Sequence, residues 1–176
     1  MNYIKDCEIY TERLYMRKLR EEDLHDYYEI MKKDEVGKWL ATSRGKTYEE
    51  TRLIIDKFSK QWEEKGYGVW AVIDKKSGEL LGHCGLNFLK ETSEVEILYA
   101  FDPKFWNHGY ATESARAALE YAFEKAKLDK IIALAKPLNI KSSNVIEKIG
   151  LKFVGIKEYF GLQLKYYEIF NNKISY

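Results

Sequence analysis

The sequence predicts an α/β protein with one mixed, mostly antiparallel central sheet of six or seven strands and about four helices. Three observations lead there. Hydrophobic spacing switches along the chain between the helical period and the strand period of two. Three strand-like segments, 69–73, 80–86 and 95–101, follow one another closely enough to make an antiparallel meander. After them, a strand, a long helix and the continuous apolar run 131–135 make a βαβ crossover with parallel pairing.

Taken in order, residues 13–19 alternate polar and apolar side chains, as a half-buried strand does. Leu24, Tyr27, Tyr28 and Met31 then fall at the spacing of a helix face. Thr47 and Glu50 fit a capping box that starts a second helix, with Ile54, Ile55, Phe58 and Trp62 as its buried stripe and Gly66 as its stop. Residues 69–73 suit a strand, and Lys76, Ser77 and Gly78 supply the turn to 80–86. In 95–101, Val95, Ile97, Tyr99 and Phe101 share one face, and Glu96, Leu98 and Ala100 the other. Ala111, Ala115, Ala118, Leu119 and Ala122 form a stripe of mostly small residues, which lets a helix pack close to a sheet. A shorter helix over 143–149 ends at Gly150, and strands at 152–157 and 163–170 make a hairpin through Gly161.

At 176 residues, with roughly 150 per domain as a guide, the chain is expected to form a single domain, 1–176. Its 29 Lys+Arg nearly cancel its 28 Asp+Glu, and a net charge of +1 excludes a strongly basic nucleic-acid binder. Cys7 and Cys84 are too far apart for a redox or metal motif and read as free thiols of a reducing cytosol. His25, His83 and His108 lie in separate segments, so no metal is expected. No start resembles a signal peptide and no apolar run approaches ~20 residues, which points to a cytoplasmic protein without membrane contact. The aromatic share, 15%, is the unusual figure; it divides between core positions such as Phe58 and Trp62 and a set available to line a pocket.

The stretch richest in chemistry is 101–113, where a strand ends, a loop runs to about His108 and a long helix begins near Gly109. First-turn N–H groups lack internal partners and carry the positive end of the helix dipole, so such a terminus holds phosphate without basic side chains. Gly109 removes a Cβ where the backbone must approach an anion, and Ala111 is small for the same reason. The competing use is a tight strand-to-helix turn packed by Phe105 and Trp106. A nucleotide-binding loop of the G-x-G-x-x-G or G-x-x-x-x-G-K-S/T type is missing.

Tyr99-Ala-Phe101 followed by Phe105-Trp-Asn-His-Gly-Tyr-Ala-Thr-Glu113 resembles motif A of the GNAT superfamily of acetyl-CoA-dependent N-acetyltransferases, and most nearly the ribosomal-protein N-terminal acetyltransferase branch. Gly109 and Ala111 match the general pattern, Trp106 matches the branch, and Asn107 stands where glycine is usual. Asparagine tolerates positive φ best among non-glycine residues, so this departure is mild. Asn139, Ser142, Glu147, Lys148 and Gly150 are similar to a second block of the branch, with Leu151 where phenylalanine is commoner. Thr11, Arg13, Leu14 and Arg17 are similar to its opening strand, so the likeness runs over nearly the whole chain.

The resemblance implies a GNAT fold in which the parallel pair splays and the pantetheine arm of acetyl-CoA pairs with an open strand edge. Carried over, that edge is Leu98, Tyr99, Ala100 and Phe101, with 131–135 as the splayed partner, and the diphosphate lies on Asn107, His108, Gly109, Tyr110, Ala111 and Thr112. It implies Glu96 as general base, directly or through a water molecule, a backbone N–H near Leu98 or Tyr99 as oxyanion donor, Ser142 as the group that protonates or hydrogen-bonds the thiolate, and Asn139 as a residue that fixes the pantetheine or a local water. Glu96 also reads as a strand carboxylate satisfied by a hydrogen bond or ion pair, and Ser142 as a helix N-cap. Lys136, Lys141 and Lys148 fall near the expected 3′-phosphate. Tyr167 lies where relatives carry an aromatic near the acceptor, although core or hairpin packing is the stronger reading; His25 and His83 are assigned no chemistry, and Cys84 is a small core residue. The acceptor site would be walled by Trp39, Arg44, Tyr48, Tyr159 and Phe160. The expected activity is acyl transfer from acetyl-CoA to a primary amine, on a small molecule or a protein N-terminus, by a monomer or homodimer without metal. The alternative is a non-catalytic acyl-CoA sensor on the same fold.

Overall fold

The computed structural model describes residues 3–171. The chain enters through two three-residue strands, β1 (Tyr3–Lys5) and β2 (Glu8–Tyr10), and then forms β3 (Leu14–Lys18), all antiparallel neighbours. Next come a 3-10 turn at Glu21–Asp23 and helices α1 (Leu24–Met31), α2 (Asp34–Gly37) and α3 (Tyr48–Lys65). The meander follows as β4 (Val69–Asp74), β5 (Leu80–Leu89) and β6 (Glu94–Phe101). Helix α4 (Tyr110–Glu124) crosses over to β7 (Lys130–Ala135), and α5 (Ile140–Lys148) leads to the hairpin β8 (Lys152–Tyr159) and β9 (Leu162–Phe170).

The nine strands form one sheet in the order β1-β2-β3-β4-β5-β6-β7-β9-β8, antiparallel throughout except for β6 and β7. Nine strands against the six or seven expected reflects β1 and β2, which are too short to show a period. Five α-helices against about four reflects α2, a single turn. The Phe160–Gly161 turn has φ of 56° and 72°, the paired positive values that match a two-residue hairpin to strand twist.

The sheet is covered on both faces, and the alternation of β6 assigns its residues between them. Val95, Ile97 and Phe101 pack in the larger cluster with α4 and α5, including Ala115, Ala118, Ala122 and Ile146. Ala100 joins the smaller cluster with Tyr27 and Ile30 of α1 and with Ile55 and Phe58 of α3, and Leu98 packs against it. Within α1 it is Ile30 that is buried and Tyr28 half-buried, so the apolar face is rotated slightly from the expected stripe. Trp62, Trp70 and Tyr121 meet edge to face at 5.0–6.0 Å, and both indoles bond main-chain carbonyls, of Val69 and Cys7. Truncating fully buried Trp70 to alanine should cost about 3–5 kcal/mol. Among the described residues no helix is long and apolar enough to cross a membrane.

Candidate active site

β6 ends at Phe101, and the chain turns through Asp102, whose carboxylate accepts from Lys33 Nζ at 2.7 Å and from Lys104 N at 3.1 Å. The Trp106 indole donates to Phe101 O at 2.9 Å, which folds the loop back on the strand end. Asn107 (φ 64°) and Gly109 (φ 80°) both take left-handed backbone, so the tolerance expected of Asn107 is used. Helix α4 starts at Tyr110 without a side-chain cap, and its ladder opens with Glu113 N donating to Gly109 O at 3.0 Å. The N–H groups before that bond are those a helix leaves unpaired.

This loop is held from outside by the opening strand. Glu113 accepts from the Thr11 hydroxyl at 2.6 Å, from Arg13 N at 2.9 Å and from Arg13 Nε at 2.7 Å. Burial alone would raise the Glu113 pKa, but these bonds outweigh it and hold the carboxylate below its usual range. The same guanidinium donates to His108 O at 2.8 Å and lies 4.5 Å from the centre of the Tyr110 ring. Two stretches noted separately in the sequence, 11–17 and 105–113, are thus halves of one device. Pairing a Thr-x-Arg with a distant glutamate carries no local sequence signal.

The parallel pair β6–β7 is in register at Glu96↔Ile132. Beyond that point, residues 98–101 keep β5 on one side (Leu98 with Gly85, Phe101 with Gly82), while β7 pairs with β9 as far as Ala135↔Lys165. Glu96 therefore sits at the apex of an opening gap. It is 8% exposed, and burial pushes its pKa up to about 7 against the opposing effects of the Asn87 bond and the Lys57 charge. Asn87 faces Glu96 across the β5–β6 ladder and donates Nδ2 to Oε1 at 2.8 Å; its own Oδ1 is buried with no partner among the described residues. Asn87 was missed because the strand was expected to stop at residue 86; continuing its alternation to Leu89 would have found it.

On the opposite face of β6, the Tyr99 hydroxyl reaches α5, 3.0 Å from Ser142 Oγ and 3.2 Å from Ser142 O, to which it donates. Burial raises the phenol's pKa, so it stays protonated at neutral pH. The N-cap of α5 is Asn139, whose Oδ1 accepts from Ser142 N at 3.2 Å. That corrects two expectations: α5 begins at Ile140 and not at 143, and Ser142 lies inside its first turn instead of capping it. Lys136 donates to Lys38 O at 2.7 Å and to Ser43 Oγ at 2.6 Å, tying the tip of β7 to the loop before α3.

A cleft of about 1220 Å³ joins these parts. It is lined by Glu96, Leu98, Tyr99, Ala100, Phe101, Asn107, Gly109, Tyr110, Ala111, Thr112, Asn139 and Ser142, and by Lys136, Lys141 and Lys148. His108 is not part of the lining: its ring is exposed, with Nδ1 2.8 Å from Trp106 O. Of the expected acceptor walls, Trp39 and Phe160 line the cleft, joined by Leu40, Phe58, Phe88 and Leu164. Arg44, Tyr48 and Tyr159 do not. Arg44 forks onto Glu50, Tyr48 packs on Tyr28, and the Tyr159 hydroxyl donates to Glu94. Tyr167 is a core residue against Phe153. His83 lines the cleft buried and bonded to the Tyr27 hydroxyl, and burial lowers its pKa to about 4. Burial pushes the Cys84 thiol up to about 12, so it is no nucleophile at neutral pH.

Residues 13–152 match the family model of the acetyltransferase (GNAT) domain. The chain belongs to the GNAT acetyltransferase family. The Bacillus subtilis N-acetyltransferase YnaD is 34% identical over 149 residues, 84% of each chain. Protein YkkB of the same organism is 43% identical over 97 residues, so this chain spans about half, 56%, of that relative. A GNAT-family acetyltransferase structure from Bacillus anthracis superposes with a TM-score of 0.79 at 31% identity, over 93% of this chain and 98% of that one. GNAT enzymes are acyltransferases that use acetyl-CoA. The donors present fit that co-substrate: an uncapped helix terminus behind a left-handed glycine, and a strand edge left open beyond Glu96.

Proposed function

We propose that the chain, as one domain over its whole length, transfers the acetyl group of acetyl-CoA to a primary amine, on a protein N-terminus or a small molecule. The observation that carries this reading is the position of Glu96: a buried carboxylate with a pKa near 7, at the apex of a strand gap whose far end meets an open helix terminus. A base poised near neutral pH can take a proton from an ammonium-derived nucleophile and release it again.

The bound co-substrate supplies the activated acetyl thioester. The N–H groups of Asn107 and Gly109–Thr112 hold its diphosphate, and the edge of Leu98–Phe101 holds the pantetheine arm by main-chain pairing. Glu96 accepts the amine proton as the new C–N bond forms, while a β6 backbone N–H near Leu98 or Tyr99 stabilises the oxyanion. Ser142 gives a proton to the sulfur as the C–S bond breaks and recovers one from solvent, which also takes the amine proton back from Glu96; Tyr99 is its hydrogen-bond partner and Asn139 fixes the first turn of α5.

The test is thermal shift with acetyl-CoA followed by thiol release over a panel of amines and N-terminal peptides. A rise in Tm of several degrees at saturating acetyl-CoA is expected. No rise would remove the cofactor assignment. A rise without thiol release from any amine would leave a binding protein and remove the transfer step.

A further inference from the structure

The charge of the cleft differs from that of the chain. The whole sequence is balanced to +1, yet eight lysines and three glutamates line the cleft, with no arginine or aspartate. Lys136, Lys141 and Lys148 belong to the cofactor end. The other lysines ring the acceptor end, where α3 faces the tip of the β5–β6 hairpin.

Those at the acceptor rim are mostly unneutralised. Lys60 pairs with Glu64 at 3.7 Å, whereas Lys57, Lys65 and Lys90 are in no ion pair among the described residues. Lys65 lies 4.1 Å from the centre of the Phe88 ring, which keeps its head over the cleft wall. Burial of the deep carboxylate, Glu96, raises its pKa against the Asn87 bond, so near neutral pH it carries only part of a negative charge to offset the rim. From Lys57 to Lys65 the helix rises about 12 Å, close to the reach of four extended residues.

We infer that the acceptor is anionic: a primary amine followed within a few residues or bonds by carboxylates, which meet the Lys57, Lys65 and Lys90 rim while the amine reaches Glu96. This inference rests on the acetyl-transfer reading of the same site. A positive rim in a low-dielectric cleft concentrates anions and repels polycations, so polyamines and lysine-rich N-termini are poor acceptors. It also disfavours the ammonium form of the bound amine, which assists deprotonation at Glu96.

The experiment measures thiol release by the full chain at saturating acetyl-CoA. The acceptors are a peptide with serine followed by Glu and Asp residues, its charge-inverted Lys/Arg counterpart, free glutamate, and spermidine. The acidic peptide or glutamate should exceed the basic acceptors by at least about tenfold in kcat/KM at low salt, with the margin shrinking at high salt. Whichever anionic acceptor is better identifies the source, peptide or small molecule. The exposed double variant Lys65→Glu, Lys90→Glu should erase or reverse the preference while leaving the KM for acetyl-CoA unchanged. Equal use of acidic and basic acceptors, or a preference that the double variant does not move, overturns this inference alone. Thiol release from none of the four, nor from simple amines, while acetyl-CoA still raises Tm, overturns the transfer reading and this inference with it.

Discussion

At its proposed cofactor end the cleft presents main chain: the first turn of α4, the loop from Asn107 to Gly109, and the open edge of β6. At its proposed acceptor end it presents side chains: Glu96, Asn87, Phe88, Phe160 and the lysines of α3. The first needs particular backbone conformations and tolerates few residue types. The second needs only charge, size and shape, which many residues supply. Helix α3 provides a control beside both. Its N-terminus is closed by its own chain, with Thr47 Oγ1 accepting from Glu50 N at 3.1 Å and Glu50 accepting from Thr47 N at 2.8 Å. Arg44, the first cause, and the Thr47 amide hold Glu50 down to about 2. The α4 terminus is the one left uncapped beside the strand gap.

Substitutions at the two ends should therefore fail differently, and the largest effect belongs to the side-chain end. Glu96→Gln should lower kcat by about 10²- to 10⁴-fold with the acetyl-CoA KM nearly unchanged. In the parent, activity should rise with pH through an inflection near 7, because the base works as the carboxylate. Stability runs the other way. The native pKa near 7 lies above that of an unfolded glutamate, so the native state keeps a proton that the unfolded state has lost, and stability falls as pH rises through the interval. Glu96→Gln should then be the more stable protein above pH 7, by on the order of 3 kcal/mol. A flat kcat in Glu96→Gln would move the base elsewhere.

At the main-chain end, Gly109→Asp puts a carboxylate where the helix terminus is open, so that α4 is furnished as α3 is. Strain at positive φ of about 1–3 kcal/mol, together with charge repulsion, should weaken acetyl-CoA by roughly 10- to 100-fold, read as loss of the thermal shift. Undiminished binding would contradict the diphosphate site. Arg13→Gln removes the tie to Glu113 and His108 without touching the cleft; losing a hydrogen bond to a charged group, worth about 1.5–3 kcal/mol, should raise the acetyl-CoA KM about tenfold and leave kcat near parent. The smallest effect is that of Thr47→Ala, which should lower stability by about 1 kcal/mol with both KM values unchanged. A functional defect there would blur the distinction between closed and open termini.

The same division explains what could be read from the sequence. The meander, the crossover and the α4 loop were legible because alternation, small-residue stripes and a glycine before a helix are local patterns with a direct geometric cause. The α3 capping box appears as Thr47 and Glu50 predict, and Gly66 ends that helix at φ 72°. What escaped depends on pairings that no local pattern fixes. Thr11 and Arg13 meet Glu113 about a hundred residues later. Asn87 matters only because β-pairing sets it opposite Glu96. Arg44, Tyr48 and Tyr159 looked like pocket walls by type and neighbourhood, but each is engaged elsewhere, by Glu50, Tyr28 and Glu94.

The bonds from Lys136 to Lys38 O and Ser43 Oγ give the two ends a common mechanical element. The strand tip that must stand away from β6 is fastened to the loop that carries Trp39, one wall of the acceptor space. If the proposed pantetheine arm fills the gap and shifts that tip, the shift is carried to the wall through these two bonds. Each substrate then alters the affinity for the other by the same factor, a reciprocity set by linkage and independent of which binds first.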